Sequence, residues 1–374
     1  MSKLEELLED YCPDGVEYKK IRDCYQRLRG TPITAAKMKE IQNADGDIKI
    51  FAGGKTVINA FEKDIPKANV IRVPSVLVQS RGIIDAVYYD QPFTFKNEMW
   101  AYTSDNPLEV KFLYYVLKNN VEYFRSAASG MGSLPQISLK VTEEFEVPVP
   151  PLPVQEEIVR ILDMFTELTA ELTAELTARK KQYEYYRDQM LELRRENTPY
   201  ARLKNKVVMQ RGVRVVRTQL SEEGNYLVFQ NSLTPLGHFD KYNCDGYTPF
   251  VIAAGAAAEV GFSNEPFWAA DDCFYFDGKN DLNNRFLYFY LMTKQNYLKS
   301  KVRKASVPRL SRNVLENLEI PVPSMDVQKE IVNILDHFDT LCSDISDGLP
   351  AEIEARQKQY EYYRDKLLTF KRKA

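Results

Sequence analysis

Apolar residues along this chain follow two different periods, and the alternation between them divides the sequence into long helices and β-rich blocks. Ile158, Ile161, Leu162, Phe165, Leu168, Leu172, Leu176, Tyr183, Tyr186, Met190 and Leu193 fall at spacings of three and four, the stripe of an amphipathic helix. Pro153 marks its start and Thr198-Pro199 its end. Roughly forty residues at about 1.5 Å each make a rod of about 60 Å, too long to cover one small domain and suited to a spacer. A second helical stretch closes the chain, and Gly348-Leu349-Pro350 predicts a break or kink in it. Short β-rich runs at 48–52, 69–80 and 83–89, separated by glycine and proline, occupy one block. Runs at 226–230, 247–253 and 272–276 occupy another, and a short helix is expected near 107–126 and near 281–300.

A repeat orders these blocks. Gln155, Glu157, Ile158, Val159, Ile161, Leu162, Asp163, Phe165 and Leu168 recur 173 positions later, and the block at 179–191 returns at 356–368, offset by 177. Ser133-Leu134-Pro135-Gln136-Ile137-Ser138 is echoed by Ser306-Val307-Pro308-Arg309-Leu310-Ser311, and Phe112-Leu113-Tyr114-Tyr115 by Phe286-Leu287-Tyr288-Phe289. Little matches between 22–95 and 204–270. A period this long excludes a solenoid and implies a duplicated domain-plus-helix unit. The expected fold is α+β: two globular domains, each a β-rich core with flanking helices, separated and joined by two long antiparallel helices in a pseudo-two-fold arrangement. Its expected segments are 1–150, 151–197, 198–322 and 323–374.

Within the first helix, residues 167–178 repeat Glu-Leu-Thr-Ala three times. This is either an accident of a good helix former or a ruler. One such unit adds about 6 Å and about 40° to a helix. A DNA base pair turns by about 35° over about 3.4 Å, so the rotations agree and the lengths require a tilted rod.

Composition adds limits. The formal net charge is −3, with 44% hydrophobic and 28% charged residues, as in ordinary globular proteins. No signal-peptide pattern or membrane-length apolar run is present, and five scattered cysteines suggest reduced thiols in a cytoplasmic protein. The charge is unevenly spread. Six Arg or Lys and no acid lie in 199–220, and seven with no acid in 294–313. Such stretches are most often solvated faces, but two of them bounding one domain favour a phosphate-tracking surface. Base readout needs Arg for guanine and Asn or Gln for adenine. The candidate DNA contacts are therefore Arg27, Arg29, Thr31, Lys37, Lys55 and Arg81 in the first domain. In the second they are Arg211, Arg214, Arg217, Gln230, Asn231, Lys241, Arg303, Lys304 and Arg309.

No catalytic motif survives inspection. Gly53-Gly54-Lys55-Thr56 lacks the first glycine of a phosphate-binding loop, since Lys49 stands there. Asn197-Thr198-Pro199-Tyr200 has one proline where the Asn-Pro-Pro-Tyr tetrapeptide of DNA amino-methyltransferases has two, Thr198 standing in place of the other. Met164 matches His337 in the repeat, and His238, Cys244 and Cys273 have no zinc spacing. Tyr185, Arg187, Tyr362 and Arg364 lie off the main helix stripes in both copies. They are the candidate partner-binding residues, in two equivalent sites.

Two variable domains alternating with helices that bear Gln-x-Glu-Ile-Val-x-Ile-Leu-Asp-x-Phe and Arg-x-Lys-Gln-Tyr-Glu-Tyr-Tyr-Arg-Asp resemble the specificity subunit of type I restriction-modification systems, over essentially the whole chain. The resemblance implies a non-catalytic subunit in which each target recognition domain reads half of an asymmetric bipartite DNA site. It implies that the helices set the spacer and dock two methyltransferase subunits, to which restriction-translocase subunits then bind. S-adenosylmethionine, ATP and magnesium are then expected on the partners, with no cofactor on this chain. A single-chain methyltransferase, a stand-alone DNA-binding protein and a coiled-coil adaptor are the competing classes.

Overall fold

The computed structural model describes residues 3–129, 134–221, 223–343 and 349–373, with the backbone alone for 341–343. The chain divides into two compact units, Met1–Glu171 with Ile353–Ala374, and Leu172–Glu352. Each unit thus holds one globular domain, one half of the long helix Leu152–Leu191, and one C-terminal helix. The second unit contains Met325–Ser343 and the first contains most of Leu349–Leu367. The break expected at Gly348-Leu349-Pro350 falls at a stretch, residues 344–348, that lies outside the described residues.

The first domain has strands β1 (Tyr18–Lys20), β2 (Gln26–Leu28), β3 (Ile48–Phe51), β4 (Val57–Ala60), β5 (Ser75–Gln79), β6 (Asp85–Tyr89), β7 (Phe93–Phe95), β8 (Trp100–Thr103) and β9 (Glu146–Pro148). One sheet has the order β2-β8-β5-β6 and is antiparallel throughout; a second has the order β4-β3-β7, with β3 and β7 parallel. Alternation along β5 explains the layering, because successive side chains leave opposite faces. Val76 and Val78 pack with Leu113, Val116 and Leu117 of helix Pro107–Asn119, while Leu77 packs with Phe51, Phe93 and Phe95 of the second sheet. Every residue of β5 is buried. Asn106 caps the helix by accepting the Leu108 N–H at 3.0 Å, and Pro107 follows it in the first turn.

The second domain repeats this plan strand for strand. Its strands are β10 (Tyr200–Arg202), β11 (Val207–Arg211), β12 (Tyr226–Phe229), β13 (Gly237–Phe239), β14 (Thr248–Ile252), β15 (Val260–Ser263), β16 (Trp268–Ala269), β17 (Cys273–Gly278) and β18 (Glu319–Pro321). The sheets are β11-β17-β14-β15 and β13-β12-β16, with β12 and β16 parallel, and the pair β10–β18 matches β1–β9. The topology is therefore shared by regions whose sequences barely match. One register does survive between them, at an offset of 182. It joins Tyr18 to Tyr200 and Arg29-Gly30 to Arg211-Gly212. Both glycines are dictated by close packing, since a Cβ would lie 2.0 Å from the Phe95 carbonyl oxygen in one and 2.1 Å from that of Ala270 in the other.

The outer face of the three-stranded sheet differs. In the first domain helix Ala35–Ile41 covers it, with Met38 and Ile41 packed on Ile48 and Ile50. In the second an irregular segment does so, Val215 and Leu220 meeting Val228 and Trp268.

Each domain is tied to its helices in the same way. In the first unit Lys111 Nζ lies 2.7 Å from Asp163 and 5.5 Å from the Tyr88 ring centroid, and the Tyr115 hydroxyl donates to Asp163 at 2.5 Å. In the second, Arg285 reaches Asp336 at 2.6 Å and Asp339 at 2.9 Å, with its guanidinium 4.6 Å from the Phe262 ring. The repeated aromatics pair reciprocally. Phe165 stacks on Tyr363 at 5.5 Å and 22°, and Tyr186 stacks on Phe338 at 6.4 Å and 25°.

The long helix stops at Leu191, short of Thr198-Pro199. Leu191 is buried in the second core, and the chain then turns so that the Tyr200 hydroxyl donates to the Leu193 carbonyl at 2.7 Å. Arg195 there pairs with Glu319 and lies 4.5 Å from the Tyr200 ring. The first unit builds the same corner from distant segments. Arg372 pairs with Glu146 at 2.8 Å and sits 4.1 Å from the Tyr18 ring, while the Val16 N–H donates to Lys371 at 2.8 Å.

Candidate nucleic-acid interface

In each domain three loops converge at one end of the sheets, joined to one another by backbone hydrogen bonds. In the first domain they follow β3 (Gly53–Lys55), link β5 to β6 (Ser80–Gly82), and precede the short helix Leu139–Glu143 (residues 134–137). The Gly54 N–H donates to Arg81 at 3.2 Å, the Gly82 N–H to Pro135 at 2.9 Å, and the Ile137 N–H to Ser80 at 3.0 Å. In the second domain the Ala256 N–H donates to Asn231 at 2.8 Å, the Gly255 N–H to Pro308 at 3.2 Å, and the Leu310 N–H to Ala253 at 2.8 Å. Gly82 and Gly255 take φ of +79° and +87°, a left-handed turn open to glycine, which lets their N–H groups face the third loop. That third loop closes on itself, through Ser129 with Gln136 and through Arg303 with Arg309.

The first loop has a second anchor. Glu98 accepts the Gly53 N–H at 3.1 Å and pairs with Lys96 at 3.0 Å. Burial alone would push its carboxyl upward, yet these hydrogen bonds hold it below the usual range. It stays ionised and fixes the turn.

These loops gather part of the expected set. Lys55 and Arg81 are exposed together in the first domain, and Asn231, Arg303, Lys304 and Arg309 are exposed in the second, with Gln230 half-buried beside them. Gln136, paired across from Arg81, joins them; its match to Arg309 in the repeated Ser/Pro segment was the available signal. Other expected contacts sit elsewhere. Arg29 and Arg211 are exposed at the Arg-Gly corner, where Arg211 Nε donates to the Asp271 carbonyl at 2.7 Å. Arg214 and Arg217 lie exposed on the segment covering the second domain's smaller sheet, and Lys241 lies exposed past β13. Lys37 is on the covering helix of the first domain and pairs with Glu40 at 2.8 Å, and Arg27 on β2 pairs with Glu143 at 2.9 Å.

Thr31 is corrected outright. It is fully buried, its hydroxyl 2.7 Å from that of Thr94 and accepting the Asn69 N–H at 2.9 Å, so it serves the core. The helix residues divide similarly. Tyr185 and Tyr362 are 58% and 62% exposed, large aromatic surfaces open to a partner. Arg187, in contrast, is 8% exposed, folded over Tyr183 and paired with Asp188. Arg364 is half-buried, donating to Asn119 at 2.8 Å and lying over Tyr360. Both arginines brace the helix tyrosines from within. Periodicity placed them off the stripe, but a long side chain can fold back under its neighbours.

The thiols offer no reactive centre at Cys244 or Cys273. Both are buried, and burial raises their pKa, that of Cys244 to about 12. Among the described residues no helix is long and apolar enough to cross a membrane.

The chain matches the family model of the type I restriction modification DNA specificity domain twice, over residues 13–179 and 188–355. It is 30% identical over 354 residues to the specificity subunit of the Escherichia coli type I restriction enzymes EcoR124I/EcoR124II, covering 86% of this chain and 87% of that one. It is also 29% identical over 306 residues to the MpnII specificity subunit of Mycoplasma pneumoniae, covering 63% and 92%. In fold it is similar to the crystal structure of a type I restriction-modification S subunit from M. genitalium, with a TM-score of 0.66 at 18% identity over 95% of this chain and 96% of the other. Two family domains, a shared sheet plan and two matching clusters of basic loops all lead to one assignment: this chain belongs to the type I restriction-modification DNA specificity family, and it is a non-catalytic DNA-recognition subunit.

Proposed function

We propose that each domain reads one half of an asymmetric bipartite DNA site through its three-loop cluster. The observation that carries this reading is a backbone scaffold that keeps two of its three cross-loop hydrogen bonds, and reverses donor and acceptor in the third, while carrying different side chains. Arg81 corresponds to Ala254, Gln136 to Arg309, and Ser129 to Arg303. A fixed frame with exchangeable donors and acceptors suits two half-sites of different sequence. Methylation mapping in cells expressing the full system tests it. One bipartite motif is expected, and exchange of residues 199–320 for another recognition domain should alter one half only. A motif altered in both halves would refute the division of labour.

The helices have two further roles in this reading. Leu168, Leu172 and Leu176 of the Glu-Leu-Thr-Ala repeat are half-buried while its other residues are mostly exposed, so a unit can be added without changing the stripe. One added unit should lengthen the spacer. Tyr185 and Tyr362, in matching positions, suit two methyltransferase subunits, which would supply S-adenosylmethionine chemistry, with restriction subunits bringing ATP and magnesium.

A further inference from the structure

Most exposed side chains in the loop clusters differ in chemistry between the two domains, as expected of readers of different half-sites. One exposed pair keeps its aliphatic character. Leu134-Pro135 and Val307-Pro308 occupy the same position, each an aliphatic residue before a proline whose carbonyl accepts a glycine N–H. Leu134 is 53% exposed and Val307 47%, and neither joins a hydrophobic core. Leu134 lies over the crossing of the first two loops, its Cδ2 3.7 Å from where a Cβ on Gly82 would stand. Cationic side chains flank both: Lys55 and Arg81 in one cluster, Arg303, Lys304 and Arg309 in the other. A single exposed aliphatic residue needs no explanation. An exposed aliphatic residue before the same pinned proline in two otherwise dissimilar basic clusters points to a ligand feature that both clusters share.

We infer that Leu134 and Val307 are sequence-independent DNA contacts, each setting an aliphatic wedge against the base stack at the same relative place in its half-site. The inference rests on the half-site reading above. An aliphatic group has no donor or acceptor, so beyond a thymine methyl it carries little base information. It can instead fill the space opened when a base step is partly unstacked and the duplex bends. The proline and the pinned carbonyl hold the wedge in place before binding, which removes most of the ordering cost.

The test uses the assembled complex of this chain with its methyltransferase, carrying Leu134→Ala, Val307→Ala or both. Binding to the cognate duplex is titrated across a salt series, and the methylated motif is mapped. Each substitution should weaken binding roughly tenfold, the loss expected from one aliphatic contact. The salt slope should stay the same, since no phosphate contact is removed, and the motif should not change. Leu134→Met and Val307→Ile should retain most of the affinity, which separates a lost contact from a misfolded loop. Unchanged affinity would overturn the inference, as would a new base preference in one half-site, which would make the residue a reader. Undiminished DNA binding with weaker methyltransferase capture would assign the surface to a protein and overturn it too. Absence of any bipartite motif for the parent complex would overturn the half-site reading, and the wedge with it.

Discussion

The two recognition domains share a strand order and differ in nearly everything laid over it. Their buried centres correspond: β5 with β14, β8 with β17, and one helix on the same face of each. Their outer layers do not, a helix in one standing where an irregular segment stands in the other. Interior contacts demand only apolar volume in a fixed pattern, and many sequences supply that. Close backbone approaches and ion pairs demand particular residues. The difference teaches which positions are bound by the fold and which are free for recognition.

The largest effect should come where the domains agree most. Gly30→Ala and Gly212→Ala each force a Cβ to about 2 Å from a carbonyl oxygen, and each should cost about 3 kcal/mol or more of its own domain's stability. Denaturant unfolding monitored by domain-specific hydrogen exchange checks this, and tolerance at one glycine alone would break the equivalence. Next come the ties between domain and helix. Arg285 is enclosed, with its side chain 13% exposed, two carboxylates and three aromatic rings around it, whereas the Lys111 side chain is 34% exposed with one carboxylate. Arg285→Ala should cost about 3 kcal/mol and Lys111→Ala about 1 kcal/mol by thermal or chemical denaturation. Equal losses would show that enclosure does not decide the strength of the tie.

A smaller contrast separates two equivalent glutamines. Gln328 makes three hydrogen bonds, to Asp281, Pro323 and the Asn283 N–H, while Gln155 donates to Pro150 and its Oε1 has no partner among the described residues. Gln328→Ala should therefore destabilise by about 2 kcal/mol and Gln155→Ala by about 1 kcal/mol. A last contrast is a pH dependence at Glu157 in the first unit. The Arg160 guanidinium, together with Lys3, holds the buried Glu157 carboxyl down to about 2, against an ordinary 4.5. A carboxyl depressed on folding contributes stability at neutral pH that fades as pH falls from about 4.5 toward 2. Glu157→Gln should flatten that part of the stability–pH curve, and an unaltered curve would remove Glu157 as its source.

The helices and the duplication were legible in the sequence because period and repetition survive there directly. The β blocks were legible as blocks, yet their common topology was not. Residues such as 75–79 and 248–252 are buried on both faces, so no polar alternation marks their register. The link through Tyr18 and Tyr200 and the two Arg-Gly corners was present, but at an offset of 182 rather than 173, because the segments between the landmarks differ in length. In the candidate interface, charge and loop position could not separate Thr31, whose hydroxyl is spent inside the core, from Arg81, which is exposed in a loop cluster. Nor could helical spacing show that Arg187 and Arg364 fold back under tyrosines.

The reciprocal stacks of Phe165 on Tyr363 and Phe338 on Tyr186 constrain how such a gene can drift. Each stack joins a residue inherited from one copy of the duplication to one inherited from the other. A change in either copy is therefore judged against the opposite copy's unchanged partner, and the two blocks act as templates for each other. The near-identity of 179–191 and 356–368 is in keeping with such mutual constraint.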